Sequence, residues 1–269
     1  MGIAMTILAR IKTGQRCVPN CRTRLCFVAG ASLILLMALQ FDTAIGQTGR
    51  VTCPFFYRIA ALLTRLGESD WCLLASFVIA MQASASSRIA QTAEERCRAL
   101  FVSLLGCYAF IAIAGSGLAA NLLKRAFGRA RPDQFSGAGA FDFLPFANSA
   151  QFESFPSGHA TTIGALMMIG ALIAPRYRLG FVIAGLWLGM TRVMVGAHYP
   201  SDVVAGLGFG AWFAWIIALS FARRGLVFRQ SLENGLVLRQ TLIPEPARSH
   251  GKPTPPARTP DLTQPMPAA

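Results

Sequence analysis

Two of the three histidines, His159 and His198, lie in short segments rich in groups that bind and transfer phosphate. The segments are Lys124 to Pro132 (KRAFGRARP), Pro156 to His159 (PSGH) and Arg192 to Asp202 (RVMVGAHYPSD). Together they supply long cations, two imidazoles, one carboxylate and a run of backbone that can form an anion nest. Lys124, Arg131 and Arg192 can neutralise phosphoryl oxygens, and arginine does so with a two-pronged fork. Ser157 and Gly158 precede an apolar run, so the free N–H groups and positive dipole end of a helix would meet an anion there. Gly158 has no Cβ to hold a ligand away from the backbone. His198 beside Asp202 matches a nucleophile with its orienting carboxylate. His159 could act as a general acid and base.

Each segment alone has an ordinary reading. KRAFGRARP could be a juxtamembrane basic cluster, PSGH a plain helix cap, and Asp202 a carboxylate at a helix start. A helix running from Lys124 to Arg131 would put both cations on one face, about 10.5 Å apart. Gly128 and Pro132 argue against so long a helix.

The elements that position these groups are apolar. The chain has 269 residues, 54% hydrophobic and 14% charged, against roughly 25% charged in a soluble domain. Apolar runs cover Leu25–Phe41, Trp71–Ala85, Ala99–Leu123, Ala160–Ala174, Leu179–Met190 and Val203–Ala222. The expected fold is all-α: a polytopic membrane bundle of six transmembrane helices. The expected organisation is a basic segment 1–24, a membrane domain 25–222 and a tail 223–269, proline-rich and disordered from 244. Phe55 to Leu66 has helical apolar spacing with Arg58 and Arg65 interleaved, which fits an interfacial helix or one packed on the bundle.

The net charge of +13 flanks the apolar runs instead of forming one basic face. This points to topology and anionic lipid at the cytoplasmic face, not to nucleic acid. With the N-terminus inside, 17 of the 25 Lys and Arg lie on the cytoplasmic side. That orientation, N-in and C-in, puts all three segments outside, at the periplasmic face of a bacterial inner membrane. The seven cysteines contain no CxxC pair, so neither a zinc site nor a disulfide framework is expected. Two short copies, GLVFRQSL at 225–232 and GLVLRQTL at 235–242, are too brief for a repeat fold. Nothing in the sequence fixes an oligomeric state.

Taken together, the segments resemble the type 2 phosphatidic acid phosphatase superfamily, whose motifs are KxxxxxxRP, PSGH and SRxxxxxHxxxD. Here they read Lys124-x6-Arg131-Pro132, Pro156-Ser157-Gly158-His159 and Thr191-Arg192-x5-His198-x3-Asp202, with Thr191 in place of serine. The resemblance implies an integral-membrane, metal-independent lipid phosphatase without a cofactor. It implies His198 as nucleophile, forming a phosphohistidine, with Asp202 orienting it. His159 would be proton donor and then base, and Lys124, Arg131, Arg192, Ser157 and Gly158 would bind phosphate. Lipid A and isoprenyl diphosphates such as undecaprenyl diphosphate are the favoured substrates. The alternatives are phosphatidylglycerophosphate or phosphatidic acid hydrolysis, phosphotransfer to a lipid, and a non-catalytic protein that binds anionic lipid. Arg125 and Arg129 fall outside the motifs and could contact a second phosphate or anionic headgroups, the latter being favoured. The aromatic linker from Asp133 to Phe155 could admit acyl chains or simply cover the bundle.

Overall fold

The structure is a computed structural model that describes residues 21–48, 51–135, 139–231 and 235–239. The basic segment up to residue 20 and the proline-rich tail from residue 240 lie outside the described residues. Seven α-helices are described: α1 (Cys21–Thr48), α2 (Pro54–Leu63), α3 (Ser69–Ile89), α4 (Ala93–Phe127), α5 (Gly158–Ile173), α6 (Arg178–Met194) and α7 (Pro200–Arg223). Each apolar run of the sequence falls within one helix, save for Ala174, and the helices extend beyond the runs through polar residues at their ends.

Among the described residues, three stretches are long and apolar enough to cross a membrane: Pro54–Ile89, Ala93–Phe127 and Pro200–Arg223. Helix α5 is a shorter apolar helix. The protein is thus a mostly helical, integral-membrane protein.

Local chemistry sets the boundaries that matter. A capping box opens α4: Thr92 Oγ1 accepts from the Glu95 N–H, and the Glu95 carboxylate accepts from the Thr92 N–H. Gly128 ends that helix in the left-handed region, at φ 61°. A Cβ there would lie 2.0 Å from the Leu144 carbonyl oxygen, so only glycine fits. Arg131 therefore sits in extended backbone rather than on the Lys124 helix face.

Helices α5 and α7 begin side by side and pack through glycines. A Cβ at Gly210 would fall 1.9 Å from the Thr161 carbonyl oxygen, and one at Gly164 would fall 2.1 Å from that of Leu207. Such backbone contact is how helices associate where no water drives them together.

The all-α expectation is corrected by one small sheet. Strands β1 (Phe228–Ser231) and β2 (Gly235–Leu238) pair antiparallel, Phe228 opposite Leu238. One strand falls in each of the two repeat copies. The hairpin's Val227, Phe228 and Leu236 join the core built on Tyr108, Ile113, Ile169 and Ala214. The Phe228 ring meets Tyr108 edge-on at 4.8 Å. The packed unit thus continues past residue 222 through the hairpin.

Helix α2 leaves Phe55, Phe56 and Leu62 exposed while burying Ala60. It packs beside α6, the second of the two arrangements the sequence allowed.

Candidate active site

The three segments converge at one end of the bundle. Helices α1, α4 and α6 end there, α5 and α7 begin there, and the turn Thr64–Gly67 before α3 lies against it. The described residues between Gly128 and Ser157 fold back over this end. Their backbone is tied by Ala130 N–H to Asp142, Arg131 N–H to Gln151, Leu144 N–H to Gly128 and Ser154 N–H to Arg129.

Ser157 caps α5, its side chain accepting from the Ala160 N–H at 3.4 Å. Its own N–H donates to the Asp202 carbonyl at 3.0 Å, which fixes PSGH against the start of α7. Lys124 reaches over this cap: a Cβ on Gly158 would stand 3.1 Å from Lys124 Nζ. The glycine leaves room for the ammonium beside the helix N-terminus.

His159 interacts electrostatically with Arg192, His198, Lys124 and Arg131. His198 interacts with Asp202, Arg192 and Arg131. The structure therefore gathers both imidazoles and all three motif cations. Arg131 Nε and Arg192 Nε are buried with no hydrogen-bond partner from the protein. Buried donors are nearly always satisfied, so these two are suited to hold an anion. Arg192 Nη1 donates to Thr64 Oγ1 at 3.0 Å, which steadies its guanidinium from the turn before α3. Thr191, replacing the motif serine, is buried and bonds back to the Leu188 carbonyl.

His198 is buried in the turn between α6 and α7. Burial pushes its pKa down to about 4, with Asp202 opposing the shift. The ring is therefore neutral at physiological pH, the form in which nitrogen can attack. Its Nδ1 faces Asp202 Oδ2 at 3.7 Å, an ion-pair separation longer than a hydrogen bond. No direct hydrogen bond joins the two side chains at this distance. Oδ2 instead accepts from Ser154 Oγ at 2.6 Å and from the Tyr199 N–H at 3.0 Å.

Arg129 does not meet headgroups, contrary to expectation. It is 1% exposed, held between Asp42 and Asp202 at 2.9 and 2.6 Å. Its charge is spent on two carboxylates, so it has none to offer a lipid. Arg125 is exposed and lies 3.7 Å from Glu153. Sequence reasoning missed Asp42, Ser154 and Ser201 as well. The available signal was Asp42 itself, a lone acid closing a charge-free apolar run, which needs a partner at membrane depth.

Among the described residues, no cluster of three or more His, Cys, Asp or Glu could hold a metal ion. What the site offers instead is a cluster of three cations around two imidazoles. Such a site can bind a tetrahedral dianion and stabilise charge on its oxygens during transfer.

Comparison with known proteins agrees with this chemistry. A family model described as the PAP2 superfamily matches residues 105–226. A lipid A 1-phosphatase of Rhizobium johnstonii is 48% identical over 212 residues, covering 79% of this chain and 86% of that protein. A lipid A 1-phosphatase of Rhizobium etli is 45% identical over 228 residues, covering 85% of this chain and 97% of that protein. A crystal structure of a transmembrane PAP2-type phosphatidylglycerolphosphate phosphatase from Bacillus subtilis aligns at 20% identity with a TM-score of 0.48, over 70% of this chain and 92% of that one. With relatives this similar over most of its length, the chain belongs to the PAP2 superfamily and is a membrane phosphatase.

Proposed function

We propose that the protein hydrolyses a phosphate ester of lipid A at the membrane surface, through a phosphohistidine on His198. The observation that carries this reading is the gathering of His159, His198, Lys124, Arg131 and Arg192 at one end of the bundle. Lipid A is favoured over isoprenyl diphosphate because relatives bearing that activity match nearly the whole chain.

Lys124, Arg131, Arg192 and the N–H groups at Ser157 and Gly158 hold the non-bridging oxygens. Neutral His198 attacks phosphorus through Nε2, since Nδ1 faces Asp202. The negative charge of the bound phosphate favours the imidazolium form of His159, which donates a proton to the sugar oxygen as that oxygen's bond to phosphorus breaks. The phosphorylated ring gains positive charge, and Asp202 stabilises it. In the second step His159 takes a proton from water, whose oxygen attacks the phosphohistidine. Phosphate leaves and neutral His198 is restored. The cations carry the electrostatic load, so no metal ion or cofactor is required.

Six spans, α1, α3, α4, α5, α6 and α7, would alternate in direction, with their site ends together. Helices α1, α4 and α6 arrive at the site and α3, α5 and α7 leave it, so both chain termini would lie on the opposite side. The basic tails and the positive-inside rule then put the termini in the cytoplasm and the site at the periplasmic face. Residues 25–222 would form the membrane domain, with the basic segments at either end in contact with anionic lipid. Phe141, Phe143, Leu144 and Phe146 are exposed on the loop beside the site and would contact acyl chains there.

The test is phosphate release by purified protein in detergent from lipid A, undecaprenyl diphosphate, phosphatidylglycerophosphate and phosphatidic acid. Preferred release from lipid A is expected. Faster release from another lipid would reassign the substrate. Phosphate that appears on a second lipid rather than in solution would make the protein a phosphotransferase.

A further inference from the structure

The buried ionic cluster behind His198 has no assigned purpose in the reaction above. Arg129 Nη1 donates to Asp202 Oδ1 at 2.6 Å and to Ser201 Oγ at 2.7 Å. Its Nη2 donates to Asp42 Oδ2 at 2.9 Å and to the Ala140 carbonyl at 2.7 Å. Ser201 closes the circuit: its N–H donates to Asp42 Oδ1 at 3.0 Å, and its hydroxyl donates to Asp42 Oδ2. Asp42, Ser201 and Asp202 are each 0% exposed. The Tyr199 ring lies over the guanidinium at 4.4 Å, with Phe141 and Phe143 on other sides at 5.6 and 5.9 Å.

We infer that Asp42 and Arg129 are positioning residues that hold the Asp202 carboxylate toward His198 and set the charge of the cluster to complement the ring when it is phosphorylated. The inference rests on the reading of His198 as nucleophile. Geometry supplies the first half. Arg129 takes one oxygen of Asp202, leaving the other, braced by Ser154 and Tyr199, to face His198 Nδ1. Charge supplies the second half. Arg129 alone would cancel Asp202, leaving nothing to stabilise a cationic ring. Asp42 restores one net negative charge to the group of three. That charge is offset when the ring becomes positive, so the buried cluster is closest to neutrality at the phosphohistidine. Asp42 comes from α1, outside the stretch 105–226 that the family model matches. The first helix therefore acts on the reaction centre without touching the substrate.

A purely structural role, pinning α1 to α7, would cost folded protein and leave turnover per folded molecule intact. The test is steady-state kinetics on Asp42→Asn, which keeps the shape but removes the charge and turns one acceptor oxygen into a donor. Wild type, Asp42→Asn/Arg129→Gln and His198→Ala are run beside it, on lipid A in detergent micelles, with folded protein selected by size exclusion. The expected result for Asp42→Asn is a fall in kcat of roughly tenfold or more with KM within about twofold. The double variant restores the net charge but lacks the fork on Asp202, so its kcat should also lie below that of wild type with KM within about twofold. Unchanged kcat in folded Asp42→Asn or in the folded double variant, or a rise in KM alone, overturns the inference. If Asp42→Asn does not elute as folded protein, Arg129→Lys decides instead. It keeps the charge but loses the fork, and a fall in kcat of about tenfold at constant KM is expected, whereas wild-type kcat overturns the inference. His198→Ala separates the two levels. Full turnover in that variant defeats the nucleophile reading, while a dead His198→Ala beside a normal Asp42→Asn defeats only the role of the pair.

Discussion

Asp202 Oδ2 faces His198 Nδ1 across 3.7 Å, with both side chains buried. The carboxylate cannot turn away, because Arg129, Ser154 and the Tyr199 N–H occupy its other directions. It therefore acts as a fixed charge beside the ring, and the gap need close by less than an ångström for a hydrogen bond to form as charge develops. Asp202→Asn should lower kcat by about 10²–10⁴-fold with little change in KM, by analogy with other carboxylates that orient a catalytic imidazole. Initial rates of phosphate release check this.

The pH dependence follows from the burial of His198. Its pKa of about 4 in the folded protein lies below the ordinary imidazole value of 6.5. The neutral ring, the form the proposed attack requires, thus persists down to about pH 4, and its protonation should not limit kcat near pH 6. Stability moves in the same window. The unfolded chain binds this proton as pH falls through 6.5, while the folded chain resists until about 4. The contribution is complete above pH 6.5, declines as pH falls toward 4, and is of order 3 kcal/mol in total. Thermal unfolding in detergent should show Tm falling over this range in wild type and falling less in His198→Gln.

The glycine contact between α5 and α7 should tolerate no added methyl. A Cβ at Gly210 would sit 1.9 Å from the Thr161 carbonyl oxygen, which is backbone and cannot step aside. Gly210→Ala should destabilise by about 1–3 kcal/mol through forced separation of the helices. Gly208→Ala, two residues away with nothing within 4 Å of an added Cβ, is the matched control. Thermal melts of the two variants give the comparison.

Lys124, Arg131 and Arg192 are expected to perform the charge neutralisation that a metal performs elsewhere. EDTA should leave the rate of phosphate release unchanged, and added Mg²⁺ should not raise it. Inhibition by chelator that Mg²⁺ reverses would show up directly in the same assay and would count against this division of labour.

The site was legible because its chemistry is concentrated in short segments. PSGH and the spacing from Arg192 to Asp202 point to His159, His198 and Asp202 without any coordinates. The helices were legible for a similar reason: apolar runs without charge have few alternatives in lipid. What failed was pairing at long range. Arg129 reads as one more cation in a basic stretch, and only the fold brings it to Asp42, 87 residues earlier. The Ser154 contact with Asp202 is hidden in the same way, since it depends on how the loop after Gly128 turns back. The repeat at 225–242 is visible in the sequence but its pairing is not, because two short strands need a partner surface, here Tyr108 and its neighbours, to be stable.

The central claim is a covalent bond between phosphorus and His198. The most direct measurement is rapid quench of the protein with lipid A carrying ³²P, followed by denaturing separation. The account predicts a labelled protein band within the first turnover, stable in base, lost in acid, and absent from His198→Ala. Burst release of phosphate from wild type with no labelled protein at any time, or equal labelling of His198→Ala, would contradict it.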